Sequence, residues 1–165
     1  MKKKDFVPGV VVALFGRIMK TLPSVHVMEG TGRLEDLPDE ERLFLCVGVR
    51  GTSVQLAEIT TQGRGERLFI EYRWRGAQPG YGSLRIGRWR VGPQYLNGAL
   101  FVAEADELCS AILHPQSAGR LRTVTDDGLA AVRAHLASSL GEGQSLYPWR
   151  AVPRRGASRR WHSAA

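Results

Sequence analysis

Arginine is the residue type with the most chemistry to offer here, and it is clustered. Between residues 64 and 90 stand Arg64, Arg67, Arg73, Arg75, Arg85, Arg88 and Arg90 against Glu66 and Glu71, net +5. A second cluster, Arg150, Arg154, Arg155, Arg159 and Arg160, adds another +5 with no acidic residue between positions 147 and 165. Trp74, Trp89, Trp149 and Trp161 are interleaved with these arginines. A guanidinium presents a planar fork of donors matched to phosphate. An indole ring offers an unpaired base a stacking platform. The pattern predicts nucleic-acid contact through Arg67, Arg73, Arg75, Arg85, Arg88, Arg90 and the five later arginines, with Trp89 and Trp161 as stacking groups. Two plainer readings compete. The first cluster also suits a solvated strand face with glutamate partners, Trp74 being core. The second also suits an acidic protein surface, since arginine and tryptophan anchor protein interfaces.

No other constellation carries a reaction. His26, His114, His135 and His162 are scattered, and Cys109 and His114, five residues apart, do not share a helical face. Ser53 and Ser83 lack the nucleophile-elbow pattern. Glu58, Glu71, Glu104, Asp106 and Glu107 have no metal-ligand spacing. The glycine-rich stretch Gly76 to Gly82 has no GK[ST] after it and opens no helix, so it matches neither a P-loop nor a dinucleotide fingerprint. The sequence therefore predicts no catalytic set, no cofactor and no metal. A metal-dependent nuclease or toxin-like activity is the least unfavourable enzymatic reading.

The elements that must position these residues follow from hydrophobic period and breakers. Val10, Val11, Leu14, Phe15, Ile18 and Met19 fit one helical face, predicting a helix over 6–21 ended by Pro23. Residues 29–42 carry six acidic side chains against Arg33 and Arg42, and Gly30, Gly32 and Pro38 mark them as a solvated loop. Leu43 to Arg50 and Val54 to Thr60 predict a hairpin about Gly51-Thr52. Arg67 to Arg75 alternates, with Leu68, Ile70, Tyr72 and Trp74 inward, as a half-buried antiparallel strand. Leu84 to Val91 reads as its return and Leu96 to Ala103 as a further strand. Helices follow at 104–113 and at 126–140, the second capped by Thr125, with Asp126 and Asp127 favoured by the dipole in its first turn.

The expected fold class is α+β: an antiparallel meander of four or five strands packed by two or three helices. One domain is expected over residues 1–146, with a basic tail over 147–165 that reads as disordered alone. The size suits one domain. The 23 basic residues, 19 of them arginine, outweigh 16 acidic ones, net +7. Cys46 and Cys109 both lie in apolar surroundings as unpaired thiols, pointing to a reducing, cytoplasmic setting. Lys2 to Lys4 before an apolar stretch resemble a secretory start, but Arg17 and Lys20 follow closely and no cleavage pattern appears, which disfavours membrane association.

The function expected from these residues is non-catalytic nucleic-acid binding, DNA or RNA undetermined, as a small subunit of a larger nucleoprotein complex. The alternative is a protein–protein assembly or structural subunit, for example of a phage particle, whose tail grips an acidic partner.

Overall fold

The computed structural model describes residues 2–77, 89, 92–113 and 122–149. In chain order the elements are β1 (Val10–Phe15), α1 (Gly16–Met19), β2 (His26–Val27), β3 (Glu41–Arg50), β4 (Ser53–Thr60), β5 (Arg75–Ala77), β6 (Tyr95–Glu104), α2 (Ala105–Ala111), β7 (Arg122–Val124) and α3 (Asp126–Ala137). Short 3₁₀ turns lie at Lys3–Asp5, Leu34–Asp36 and Tyr72–Trp74. The fold is α+β, with one seven-stranded antiparallel sheet and three helices among the described residues.

The strand order is β2-β6-β4-β3-β1-β7-β5, so the expected meander is only its β4-β3 hairpin. That hairpin pairs Leu43 with Ile59 and Arg50 with Ser53. Beyond it the sheet grows by non-local pairing. β6 returns to β4, β1 slots between β3 and β7, and β5 closes on β7.

Both sheet faces are covered. Val10, Val12, Leu14, Phe44, Cys46, Leu56 and Phe101 face one core, capped by Phe6, Met19, Leu108 and Ile112. Phe44 and Phe101 meet edge to face there at 5.8 Å, a geometry aromatic pairs favour. Val11, Leu45, Val47, Ala57, Ile59, Leu96 and Leu100 face the other, capped by Leu129, Val132 and Leu136 of α3 and by Ile70, Trp74 and Trp89. Each fully buried side chain of this size contributes roughly 1.5–3 kcal/mol.

This double burial explains the main departure from the sequence reading. The helix expected over 6–21 is strand β1 followed by the single turn α1. A strand buried on both faces has no polar side, so its apolar run shows no two-residue period. Tertiary pairing with β3 and β7 decides the outcome, in line with the preference of three consecutive valines for strand. The strand expected over 67–75 is likewise replaced. Phe69 makes a single bridge to Tyr95, the chain turns at Tyr72–Trp74, and only then does β5 begin. The return strand expected over 84–91 lies outside the described residues, Trp89 apart.

The loop expected over 29–42 ends at residue 40, since Glu41 and Arg42 open β3, and it is not merely solvated. Its end seats on α1, where Gly16 and Arg17 donate their backbone N–H groups to the Glu40 and Asp39 carbonyls at 3.0 and 3.1 Å. A Cβ on Gly16 would stand 1.7 Å from the Pro38 carbonyl oxygen, so only glycine permits this approach. At the far end of the chain the packed structure continues past the expected boundary at 146. Tyr147 N–H donates to the Gln55 side chain at 2.7 Å, Val49 N–H donates to the Pro148 carbonyl at 3.0 Å, and Trp149 packs on the α3-side core. Gly48 makes room for this strap, since a Cβ there would lie 2.5 Å from the Tyr147 carbonyl oxygen. No described helix is long and apolar enough to cross a membrane.

Candidate nucleic-acid interface

The segment that carries the first arginine cluster is built around an internal arginine. Arg75 is 6% exposed. Its Nε donates to the Ile70 carbonyl at 3.0 Å and one terminal nitrogen reaches the same oxygen at 2.5 Å. The other terminal nitrogen donates to the carbonyls of Trp89, at 3.2 Å, and Gly92. Burial pulls its pKa below the usual arginine value, opposed by the nearby Tyr72 hydroxyl. Arg75 is therefore a clip joining the turn at residues 70–75 to Trp89 and Gly92, and its guanidinium is not presented to a phosphate. Trp89 is fully buried and its indole N–H donates to the Gly76 carbonyl at 3.2 Å. In this structure it is a core residue and offers no stacking face.

Above that clip stands an aromatic surface not singled out from the sequence. Tyr72 is 51% exposed, with Val7 one of two large apolar side chains so exposed among the described residues. The Arg75 guanidinium carbon lies 4.3 Å from the centre of its ring. Phe69 meets Tyr72 at 5.6 Å and Tyr95 at 5.4 Å, both edge to face. The three rings hold one another in place. The alternating pattern assigned Tyr72 to the buried face with Leu68, Ile70 and Trp74. Those three do pack on the core, but the 3₁₀ turn rotates Tyr72 outward.

Arg73 follows Tyr72 directly in the chain, and Arg67 stands two residues before Phe69. The Arg73 side chain is 76% exposed and pairs with Glu71. So exposed a pair contributes little and opens readily to a competing anion. Arg67 is half-buried and donates to the Gln62 carbonyl at 2.6 Å. Two further guanidinium groups serve the strap: Arg50 lies 4.4 Å from the Tyr147 ring, and Arg133 donates to the Val47 carbonyl at 2.5 Å and the Tyr147 carbonyl at 2.8 Å. Arg85, Arg88, Arg90, Arg150, Arg154, Arg155, Arg159, Arg160 and Trp161 lie outside the described residues. Of the thirteen side chains expected to contact nucleic acid, the structure thus places Arg67 and Arg73 at the surface and Arg75 and Trp89 inside.

Arg67 also lines a cleft of about 290 Å³ together with residues of the turn at 31–37 and with Glu58 and Asn97. Among the described residues no three His, Cys, Asp or Glu side chains converge as metal ligands would. No protein-family model matches this sequence, and no curated protein or solved structure matches it either.

Proposed function

We propose that this chain binds single-stranded nucleic acid without catalysing a reaction, as part of a larger assembly. The observation that carries the reading is the exposed Tyr72 ring, backed by the Arg75 guanidinium and followed in the chain by the exposed, Glu71-paired Arg73. Such a ring suits stacking of an unpaired base, and the adjoining guanidinium suits the phosphate beside it. Charge distribution supports it. The stretches 85–90 and 150–160 hold eight of the 23 basic residues and no acidic one, leaving 15 basic against 16 acidic elsewhere, net −1. A near-neutral body with its positive charge concentrated in two stretches has the electrostatic footprint of a polyanion binder.

The test is binding of the nuclease-treated protein to labelled single- and double-stranded DNA and RNA across a salt series. The logarithm of the affinity is expected to fall steeply with log salt, by about 0.7 for each single-strand phosphate neutralised. Cutting the chain after Trp149 leaves the strap intact and removes five arginines. The slope should shrink by about 3.5, five times that value, if all five engage phosphate. Tyr72→Ala should weaken single-strand binding about tenfold or more at every salt concentration and leave the slope unchanged. Salt-insensitive binding, or none at low salt, would reject this function and direct attention to an acidic protein partner.

A further inference from the structure

The cleft beneath the turn at 31–37 has a floor that the aromatic surface does not explain. Glu58 is 3% exposed, yet it lines the cleft. One of its oxygens accepts a hydrogen bond from the Asn97 amide nitrogen at 2.6 Å. The other faces Arg42 Nε at 3.6 Å, too long for a hydrogen bond, and that nitrogen has no hydrogen-bond partner. Arg42, Glu58 and Asn97 come from the three adjacent strands β3, β4 and β6, so rigid sheet holds the group. Keeping a carboxylate there costs desolvation free energy that an apolar side chain of similar volume would avoid. The Asn97 carbonyl oxygen remains an acceptor once its nitrogen is committed to Glu58. Arg33, which is exposed and makes no side-chain hydrogen bond or ion pair, lines the cleft together with Arg67 and the carboxylate of Asp36.

We infer that this cleft binds the base of one guanine nucleotide, with Glu58 reading the base and Arg33 and Arg67 holding its phosphate. A guanine presents two adjacent donors, N1–H and the 2-amino group, to which one carboxylate is complementary. Adenine and cytosine present no such pair on that edge, and uracil presents a single donor. Unpaired bases in single strands are read on their Watson–Crick edges in this way, alongside arginine planes. The volume suits one nucleoside and is at the small end for ligand clefts. A zwitterionic solute would satisfy the same charges, and the choice of a nucleotide rests on the nucleic-acid reading above.

The experiment is calorimetric titration of the full chain with GMP, AMP, CMP and UMP at one salt concentration, repeated with guanosine. GMP is expected to bind at least tenfold more tightly than the other three. Glu58→Gln should reduce that preference by about 10- to 100-fold, the value of one bidentate base contact. Since Glu58 is buried, that variant is checked for folding by circular dichroism. The exposed Arg33→Ala is a second probe that leaves the sheet untouched: it should weaken GMP several-fold and guanosine not at all. Equal affinity for the four nucleotides, no heat with GMP at millimolar concentration, or indifference of GMP to Arg33→Ala would overturn the inference. Salt-steep strand binding without a GMP site would leave the nucleic-acid function standing and remove only this cleft. GMP binding without strand binding would do the reverse.

Discussion

Arg75 shows how far one side chain's role depends on what surrounds it. In sequence it is indistinguishable from Arg73, two positions earlier in the same basic run. In the structure Arg73 is exposed and pairs with Glu71, whereas Arg75 satisfies the carbonyls of Ile70, Trp89 and Gly92. Arginine is suited to this because its five donors reach several acceptors from one planar group. Replacing it with methionine keeps the apolar stem but strands the buried carbonyls of Ile70 and Trp89 and the half-buried one of Gly92, a buried one costing about 1–3 kcal/mol when unsatisfied. Some of that cost is relieved by water, so Arg75→Met is expected to lower stability by about 3 kcal/mol in urea denaturation. An unchanged midpoint would mean that the clip is dispensable. Arg73→Met should leave that midpoint alone. The burial of Trp89 is hidden from the sequence for the same reason: an arginine on each side gives no sign that its indole N–H is taken by a backbone carbonyl.

Among the elements, those with a local cause were legible in the sequence. The β3-β4 hairpin, strand β6 and helices α2 and α3 fall within a few residues of their expected bounds, because turn residues, caps and period are nearby in the chain. At α3 the expected cap is in place, with the Thr125 hydroxyl oxygen accepting from Gly128 N–H at 3.3 Å. Thr125→Ala should cost about 1 kcal/mol. Gly128 sets two effects against each other. Alanine is favoured over glycine within a helix by about 1 kcal/mol. A Cβ there would meet the Trp74 side chain at 2.6 Å and Val124 at 2.8 Å, and overpacking of that kind costs about 1–3 kcal/mol. Gly128→Ala is therefore expected to be net destabilising, read from the shift in thermal midpoint, and a stabilised protein would show that Trp74 gives way freely. What was not legible was β1, whose partners are β3 and β7, and the β5-β7 pairing, since neither leaves a trace in local pattern. The polar row Arg42, Glu58 and Asn97 was hidden likewise, its members 16 and 39 residues apart.

At the scale of the molecule, the two thiols report on integrity. Burial pushes the Cys46 thiol up to about 12, in a strand flanked by β1 and β4. Cys109, on α2 and half-buried, is raised too, again chiefly by burial. A thiol reagent at pH 8 should label Cys109 slowly in the native protein and Cys46 only when the sheet opens, giving one equivalent without denaturant and two with it. Two equivalents from the native protein would mean that the sheet opens readily. The position of β1 has a consequence for biosynthesis as well. One of its partners, β3, is translated some thirty residues later, but the other, β7, only after residue 121. At about 5–20 residues per second, the nascent chain spends several seconds or more with an unpaired apolar strand edge. The ribosome must release β7 and the Tyr147–Trp149 strap before the sheet is sealed, so a transcript stopping short of them would leave an aggregation-prone fragment that chaperones must hold.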